Sequence, residues 1–316
     1  MMEIYYQNIN TGMAHDITTL VTSAEWKTAR VGSPAALELS VLYDSEVVID
    51  HGGIVSLKVG SNGLFYGYIF KHSNNGDGTM KCTAYDQIRY LKNKDTYSFK
   101  NKRADEIVSK IAADFKMKTG KLENTEYVIP LTMEDGQTLL DIILKALDKT
   151  LVYGGKMFYL WDDFGKLSIS NMTSTLLNLI VGDNSLMTDF DYSSSIDGET
   201  ANKIKLVRKN EETGMRDVYV VQDSDNQKRW GILQHYEELK DGLNEAQAEQ
   251  LADNLLSLKN RPDISLSVNG VSNLNVRAGR AVFVELKDVG VSGWYVIDEC
   301  SHNLVDQTMS LKMMVM

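Results

Sequence analysis

The spacing of apolar residues changes period along this chain, and that change constrains the fold more than any single motif. Between residues 37 and 43 the period is two, with Leu37, Leu39, Val41 and Tyr43 on one face and Glu38, Ser40 and Leu42 on the other. Val55, Leu57 and Val59 repeat the pattern. Such alternation predicts half-buried strands. Gly60-Ser61-Asn62-Gly63 leads into Leu64-Phe65-Tyr66-Gly67-Tyr68-Ile69-Phe70, and Asn74-Asn75-Gly76-Asp77-Gly78 reverses into Met80-Lys81-Cys82-Thr83-Ala84-Tyr85. Small, flexible residues at these points suit hairpin turns. The first 90 or so residues therefore read as antiparallel β, with a small barrel or sandwich as the natural closure.

The run from Lys92 to Arg103 is polar and basic, and reads as a domain junction; Tyr97 and Phe99 alternate in it like a short strand. Beyond it the period becomes helical. Ala104, Ile107, Val108, Ile111, Ala112 and Phe115 form one apolar stripe, with Gly120 just past the basic end at Lys116 and Lys118. A second helix is predicted over about 137–149, with Leu140, Ile143, Leu144 and Leu147 on one side and Asp135 or Thr138 as its cap. A hairpin follows, Met157-Phe158-Tyr159-Leu160-Trp161 returning as Lys166-Leu167-Ser168-Ile169-Ser170 through Asp162-Asp163-Phe164-Gly165. From about Thr200 the pattern returns to β: 203–208, a turn at 210–214, and 217–221. Asn244 with Gln247 then opens the best-capped helix of the chain, which Pro262 stops. The tail reads as three or four more strands.

The expected architecture is thus α+β but mainly β. Two antiparallel barrel-like domains, 1–95 and 186–316, flank an α+β insert at 96–185, with part of 186–235 as a candidate to return to the first domain. The length of 316 residues, 43% of them hydrophobic, is ample for two or three cores without staples. Cys82 and Cys300 lie far apart with no CxxC spacing, and read as reduced apolar fillers made in a reducing cytoplasm. The N-terminus has no signal-peptide pattern, and no apolar run approaches the roughly 20 residues of a membrane span. A soluble chain with no membrane association is expected. The net charge of −10 speaks against stable nucleic-acid binding, while an acidic wall would let DNA slide past without sticking.

Candidates for chemistry are weak. The five histidines, His15, His51, His72, His235 and His302, show no metal-ligand spacing and read as surface or strand-end residues. The carboxylate pairs Glu134-Asp135, Asp162-Asp163, Glu211-Glu212 and Glu237-Glu238 are adjacent in sequence, so their members point apart; those at 162–163 and 211–212 fall in hairpin turns and read as solvated. Gly154-Gly155-Lys156 lacks the frame of a phosphate loop and reads as a helix-to-strand turn. There is no GxSxG element, and neither cysteine is read as having histidine support. No catalytic residue, cofactor-binding residue or metal ligand is therefore expected, and the chain is read as not an enzyme.

With these residues laid out, the chain resembles the baseplate hub proteins of contractile tails, in particular those of PBSX-like prophages and related phage-tail bacteriocins of Gram-positive bacteria. The likeness rests on Leu64-Phe65-Tyr66-Gly67-Tyr68-Ile69, on Ala84-Tyr85-Asp86-Gln87-Ile88-Arg89-Tyr90-Leu91, and on the helix at 104–111. It continues through Leu147-Asp148-Lys149-Thr150, the hairpin at 159–167, residues 225–231, Asn244-Glu245-Ala246-Gln247-Ala248 and Asn260-Arg261-Pro262. The tyrosine-rich strand, the Ala-Tyr-Asp-Gln element and the Trp-Asp-x-x-Gly-Lys-Leu hairpin carry no catalytic role. The resemblance implies a homotrimer in a virion or tail-particle baseplate, made in the bacterial cytoplasm. It implies a ring joining the tail tube protein to the central spike protein and lining the channel, beside other baseplate proteins such as LysM-bearing ones. Three copies would bring about −30 of formal charge to that ring, at −10 each. Two other readings stand beside this one. A tail-tip cell-wall hydrolase would need a cleft of converging carboxylates or a Cys/His pair, and a receptor- or carbohydrate-binding tail module would need aromatic platforms lining one groove.

Overall fold

The computed structural model describes residues 2–183, 185–209, 214–239 and 243–316. The period-two segments form strands Ala36–Leu42 and Ile54–Val59, and Leu37, Leu39, Val41, Val55 and Leu57 are buried. Tyr43, expected on the same face, lies past the strand end and is 65% exposed. Strand Asn62–Asn74 pairs on one side with Ile54–Val59 and on the other with Thr79–Tyr85. Met2–Gln7, Ala14–Asp16 and Val21–Ala29 complete this half around a core that includes Ile4, Tyr6, Trp26, Leu57 and Phe65.

The barrels expected as closures are open sheets. Val21–Ala29 pairs with Val291–Asn303 from the far end of the chain, Ala29 opposite Glu299 and Glu25 opposite Asn303. The two β halves thereby share one thirteen-stranded sheet, whose path runs from Met187–Ser195 to Ala14–Asp16 without returning on itself. The strand that would have closed the first barrel spends its free edge on the last third of the chain instead. A second core, with Val268, Val284, Ile297 and Leu311, lies in that last third. Leu176–Gly182 joins it by pairing in parallel with Ala281–Leu286.

The basic run read as a junction is a strand, Lys94–Lys102, paired with Ile129–Thr138. Tyr97 and Phe99 stack face to face at 5.2 Å and pack into the insert core, while Lys100 and Lys102 are exposed. A partner strand and one apolar face outweigh the run's overall polarity. Two helices cover this ribbon: α1 (Ala104–Asp114) and α2 (Leu139–Gly154). The stripe of α1 is buried as expected, but the helix ends at Asp114, and Lys116 rather than Gly120 takes the left-handed position, φ 54°. For α2 the cap is Thr138, whose Oγ1 accepts from Asp141 N at 3.1 Å, and Gly155 closes it at φ 68°. The hairpin Phe158–Asp162 and Leu167–Asn171 completes the insert, with Thr119–Leu122 added in parallel.

A separate lobe contains strands Lys203–Lys209, Arg216–Gln222 and Gln234–Glu238, the short helix α3 (Ser224–Trp230), and α4 (Glu245–Lys259). Leu251 and Leu255 of α4 pack on Ile204 and Leu206. The turn predicted at 210–214, with Glu211 and Glu212, falls almost wholly outside the described residues. The strands described between 186 and 235 pair with Asp263–Val271 or with one another, not with the first third. The helix α3, headed by Asp223, was not anticipated; its seven residues are too short for a periodic signal.

Candidate functional site

Three of the sequence elements that carried the resemblance, the tyrosine-rich strand, the Ala-Tyr-Asp-Gln turn and the Trp-Asp hairpin, converge on one joint, between the first sheet, the insert and the last third of the chain. Asp86 heads the short turn Gln87–Lys92, accepting from Ile88 N through Oδ1 at 3.0 Å and from Ala35 N through Oδ2 at 3.1 Å. Gln87 donates through Nε2 to the Lys118 carbonyl at 3.1 Å, tying this turn to the segment after α1. Across the joint, Asp162 Oδ1 accepts from Gly165 N at 2.6 Å and so closes the hairpin tip. That tip rests on the sheet. A Cβ on Gly63 would lie 2.3 Å from the Phe164 ring, and one on Gly165 would lie 2.9 Å from Tyr66. Only glycine at both positions lets hairpin and strand approach this closely.

Arg277, from the last third, completes the joint. Its guanidinium lies 4.7 Å from the Trp161 ring centre and 5.9 Å from that of Trp26, and its Nη2 is 3.4 Å from the Asp162 carbonyl oxygen. Arg277 Nε, Asp162 Oδ2 and Trp26 Nε1 are enclosed and have no hydrogen-bond partner among the described residues. The sequence reading of Asp162 as a solvated turn acid is therefore corrected: it is 5% exposed and Asp86 2% exposed. Burial, reinforced by the charge of Asp162, holds the Asp86 carboxyl well above the usual carboxylate range, and burial also raises that of Asp162. Burial pulls Arg277 below the usual arginine range. One enclosed guanidinium beside two enclosed carboxylates makes a mechanical strut with a costly charge balance. The cleft beside Gln87, about 410 Å³, is lined by neither aspartate.

The same polar column contains a Cys/His contact that sequence reasoning missed. Trp26 stacks on His302 at 5.4 Å, and His302 Nε2 lies 3.1 Å from Cys300 Sγ. The two residues are separated by one position on strand Val291–Asn303 and so share a face; that spacing was the available signal. His302 stands next to the end of strand Val291–Asn303, but it is fully buried and not at the surface. The geometry nevertheless opposes nucleophilic catalysis. Nε2 sits 2.8 Å from the Val276 carbonyl oxygen and must carry the proton to donate to it, while Nδ1, 2.7 Å from Ser272 Oγ, accepts. Nε2 is then unable to take a proton from the thiol. Burial pushes the Cys300 thiol up to about 12 and lowers the pKa of His302.

The remaining candidates scatter. Glu134 pairs with Lys145 at 2.6 Å, and Asp135 accepts from Thr96 Oγ1 at 2.7 Å. His235 contacts Glu237 at 3.3 Å. His51 and His72 meet at 4.5 Å, but among the described residues no three His, Cys, Asp or Glu side chains gather as a metal site would require. Lys156 pairs with Glu126 in the turn after α2. No helix among the described residues is long and apolar enough to cross a membrane.

Comparison with solved structures shows that this is the fold of phage-tail proteins. The 43 kDa tail protein of prophage MuSo2 from Shewanella oneidensis aligns with a TM-score of 0.71, covering 99% of this chain and 98% of that one at 14% identity. The prophage tail protein gp18 of Listeria monocytogenes aligns at 0.66, over 99% and 94% at 12% identity. A type VI secretion component of E. coli, described as similar to the T4 tail proteins gp27 and gp5, aligns at 0.59, over 94% and 73% at 11% identity. Within this class of tail and baseplate structural proteins, the chain belongs to the YqbQ-like family, whose model matches residues 24–314. It is 32% identical over 263 residues to the uncharacterized protein YqbQ of Bacillus subtilis, covering 82% of this chain and 79% of that one. It is 31% identical over 280 residues to the phage-like element PBSX protein XkdQ of the same organism, covering 86% and 85%. The resemblance to the PBSX-type hub family is thereby borne out.

Proposed function

We propose that this protein is a non-catalytic baseplate hub subunit that assembles as a homotrimer, joins the tail tube to the central spike and lines the channel. The observation that carries the reading is the open course of the long sheet in a chain with a tail-protein fold over nearly its whole length. Strand Leu176–Gly182 pairs on one side only and exposes Leu176 (44%) and Ile180 (52%). The outer face of the small lobe exposes Val218, Val220 and Tyr236. Unpaired strand edges and apolar faces of this kind ask for covering, which neighbouring copies would supply through head-to-tail contacts. The buried state of Asp86 and Asp162 and the tautomer of His302 support a structural rather than a hydrolytic role. Light scattering on the eluting protein, alone and mixed with its spike, tests the proposal. The expected mass is three times 35.4 kDa in at least the mixture. A strict monomer in both, or a lytic band in a peptidoglycan zymogram, would overturn it.

A further inference from the structure

We propose that the cleft at the outer side of the joint binds a short anionic saccharide, one or two rings bearing a carboxylate or phosphate. The cleft, about 410 Å³, lies between strand Asn62–Asn74, the Gln87–Lys92 turn, the loop after α1 and the hairpin tip. That volume is in the range of small-ligand sites, roughly 300–1,000 Å³. Its wall is a continuous aromatic ladder: Phe164 meets Tyr66 at 5.5 Å, Tyr66 meets Tyr68 at 6.0 Å, and Tyr68 meets Tyr90 at 5.7 Å. The hydroxyls of Tyr66, Tyr68 and Tyr90 make no hydrogen bond with a described residue, and burial raises all three above the usual phenol range, so they remain donors at neutral pH. The rim carries Lys116, Lys118 and Lys166, all exposed, and none lies within ion-pair distance of a described carboxylate. No Asp or Glu is among the residues lining the cleft; in a chain of net charge −10 this is a local reversal of field. The buried Asp162 acts on Tyr68 only from beneath.

The chemistry selects among anions. Apolar ring faces with phenol hydroxyls beside them suit a pyranose, whose C–H faces pack on aromatic carbon while its hydroxyls take Tyr, Asn93 and Gln87. The lysines supply point charges for a carboxylate or phosphate. An acidic peptide finds little to hold here, because strand Asn62–Asn74 is paired on both edges and offers no backbone groups. A nucleic-acid strand of several nucleotides is too long for a cleft of about 410 Å³. One wall of the pocket is the hairpin tip, whose Phe164 packs closely against Gly63. The proposal stands whether or not the protein is a trimer.

Calorimetric titration of the full chain with glucose 6-phosphate and with a uronic-acid disaccharide, against maltose, tests this. Saturable binding is expected for at least one charged probe below about 10 mM, at least tenfold tighter than maltose. Lys116→Glu/Lys118→Glu, both on exposed side chains, should weaken it about tenfold or more, and Tyr68→Phe, which keeps the ring, should weaken it measurably. Absence of saturable binding for both charged probes, equal binding by these variants, or tighter binding of an acidic peptide or oligothymidylate would each overturn the assignment.

Discussion

Gly63 lies directly beneath the ring of Phe164, so close that a Cβ at position 63 would stand 2.3 Å from it. This contact seats the insert hairpin on the first sheet. Gly63→Ala should therefore lift the tip, at a cost of about 1–3 kcal/mol from overpacking. Urea unfolding reads the loss, and hydrogen exchange should place the loosening at residues 161–166. Phe164→Ala added to Gly63→Ala should recover part of the loss, because it removes the clashing ring. Additive losses would mean that the contact does not set the seat.

Arg277 is the enclosed cation of the joint, facing Asp86 and Asp162. Arg277→Met removes the guanidinium's contacts with the Asp162 carbonyl oxygen and the Trp161 ring, and a positive charge felt by both carboxyls, and should cost about 1–3 kcal/mol. The loss should be smaller at acid pH, where the carboxylates are protonated. Chemical unfolding at two pH values checks both statements.

The carboxyls of Asp86 and Asp162 are raised in the folded state, so that state holds protons which the unfolded chain releases. The contribution of these two groups to stability is then most favourable below the ordinary aspartate range, and their penalty grows as pH rises from about 4 toward the folded-state values. Asp162→Asn keeps the acceptor for Gly165 N and removes one of the two charges. Its midpoint should rise relative to wild type as pH increases from 4 to neutrality, by an amount on the order of 1 kcal/mol. A constant difference across that range would contradict the assignment.

Cys82 and Cys300 are both buried, with thiols pushed up to about 12. Neither should react with an aromatic disulfide reagent in the native protein at pH 8, and both should react in guanidinium. Rapid labelling of Cys300 would mean that His302 presents a basic nitrogen to it.

Asn244 and Gln247 cap α4 reciprocally, each bond 2.9 Å. Asn244→Ala should cost about 1 kcal/mol, visible as a lower thermal midpoint.

The letters of the joint were legible in the sequence, but their meeting was not. The tyrosine-rich strand, the Ala-Tyr-Asp-Gln turn and the Trp-Asp hairpin stood out as separate elements spread over residues 64–167. Asp162 read as a solvated turn acid because it falls in the turn of a hairpin. It is buried because Arg277, 115 positions on, and Gln87 cover it. His302 does lie at a strand end, but nothing local in the sequence showed that Trp26, Val276 and Ser272 surround it.

Although the strand Lys94–Lys102 and the helix α3 escaped it, the sequence by itself determined the period-two strands of the first half, the apolar stripes of α1, α2 and α4, and the cap of α4 at Asn244. Those outcomes depend on side-chain spacing within a few residues, since a strand repeats every two and a helix every 3.6. Only the tertiary structure decided that Val21–Ala29 pairs with Val291–Asn303 and leaves both β halves open. Strand edges carry the same backbone donors and acceptors whatever their side chains, so the choice of partner rests on how distant surfaces pack together and is written in no local pattern.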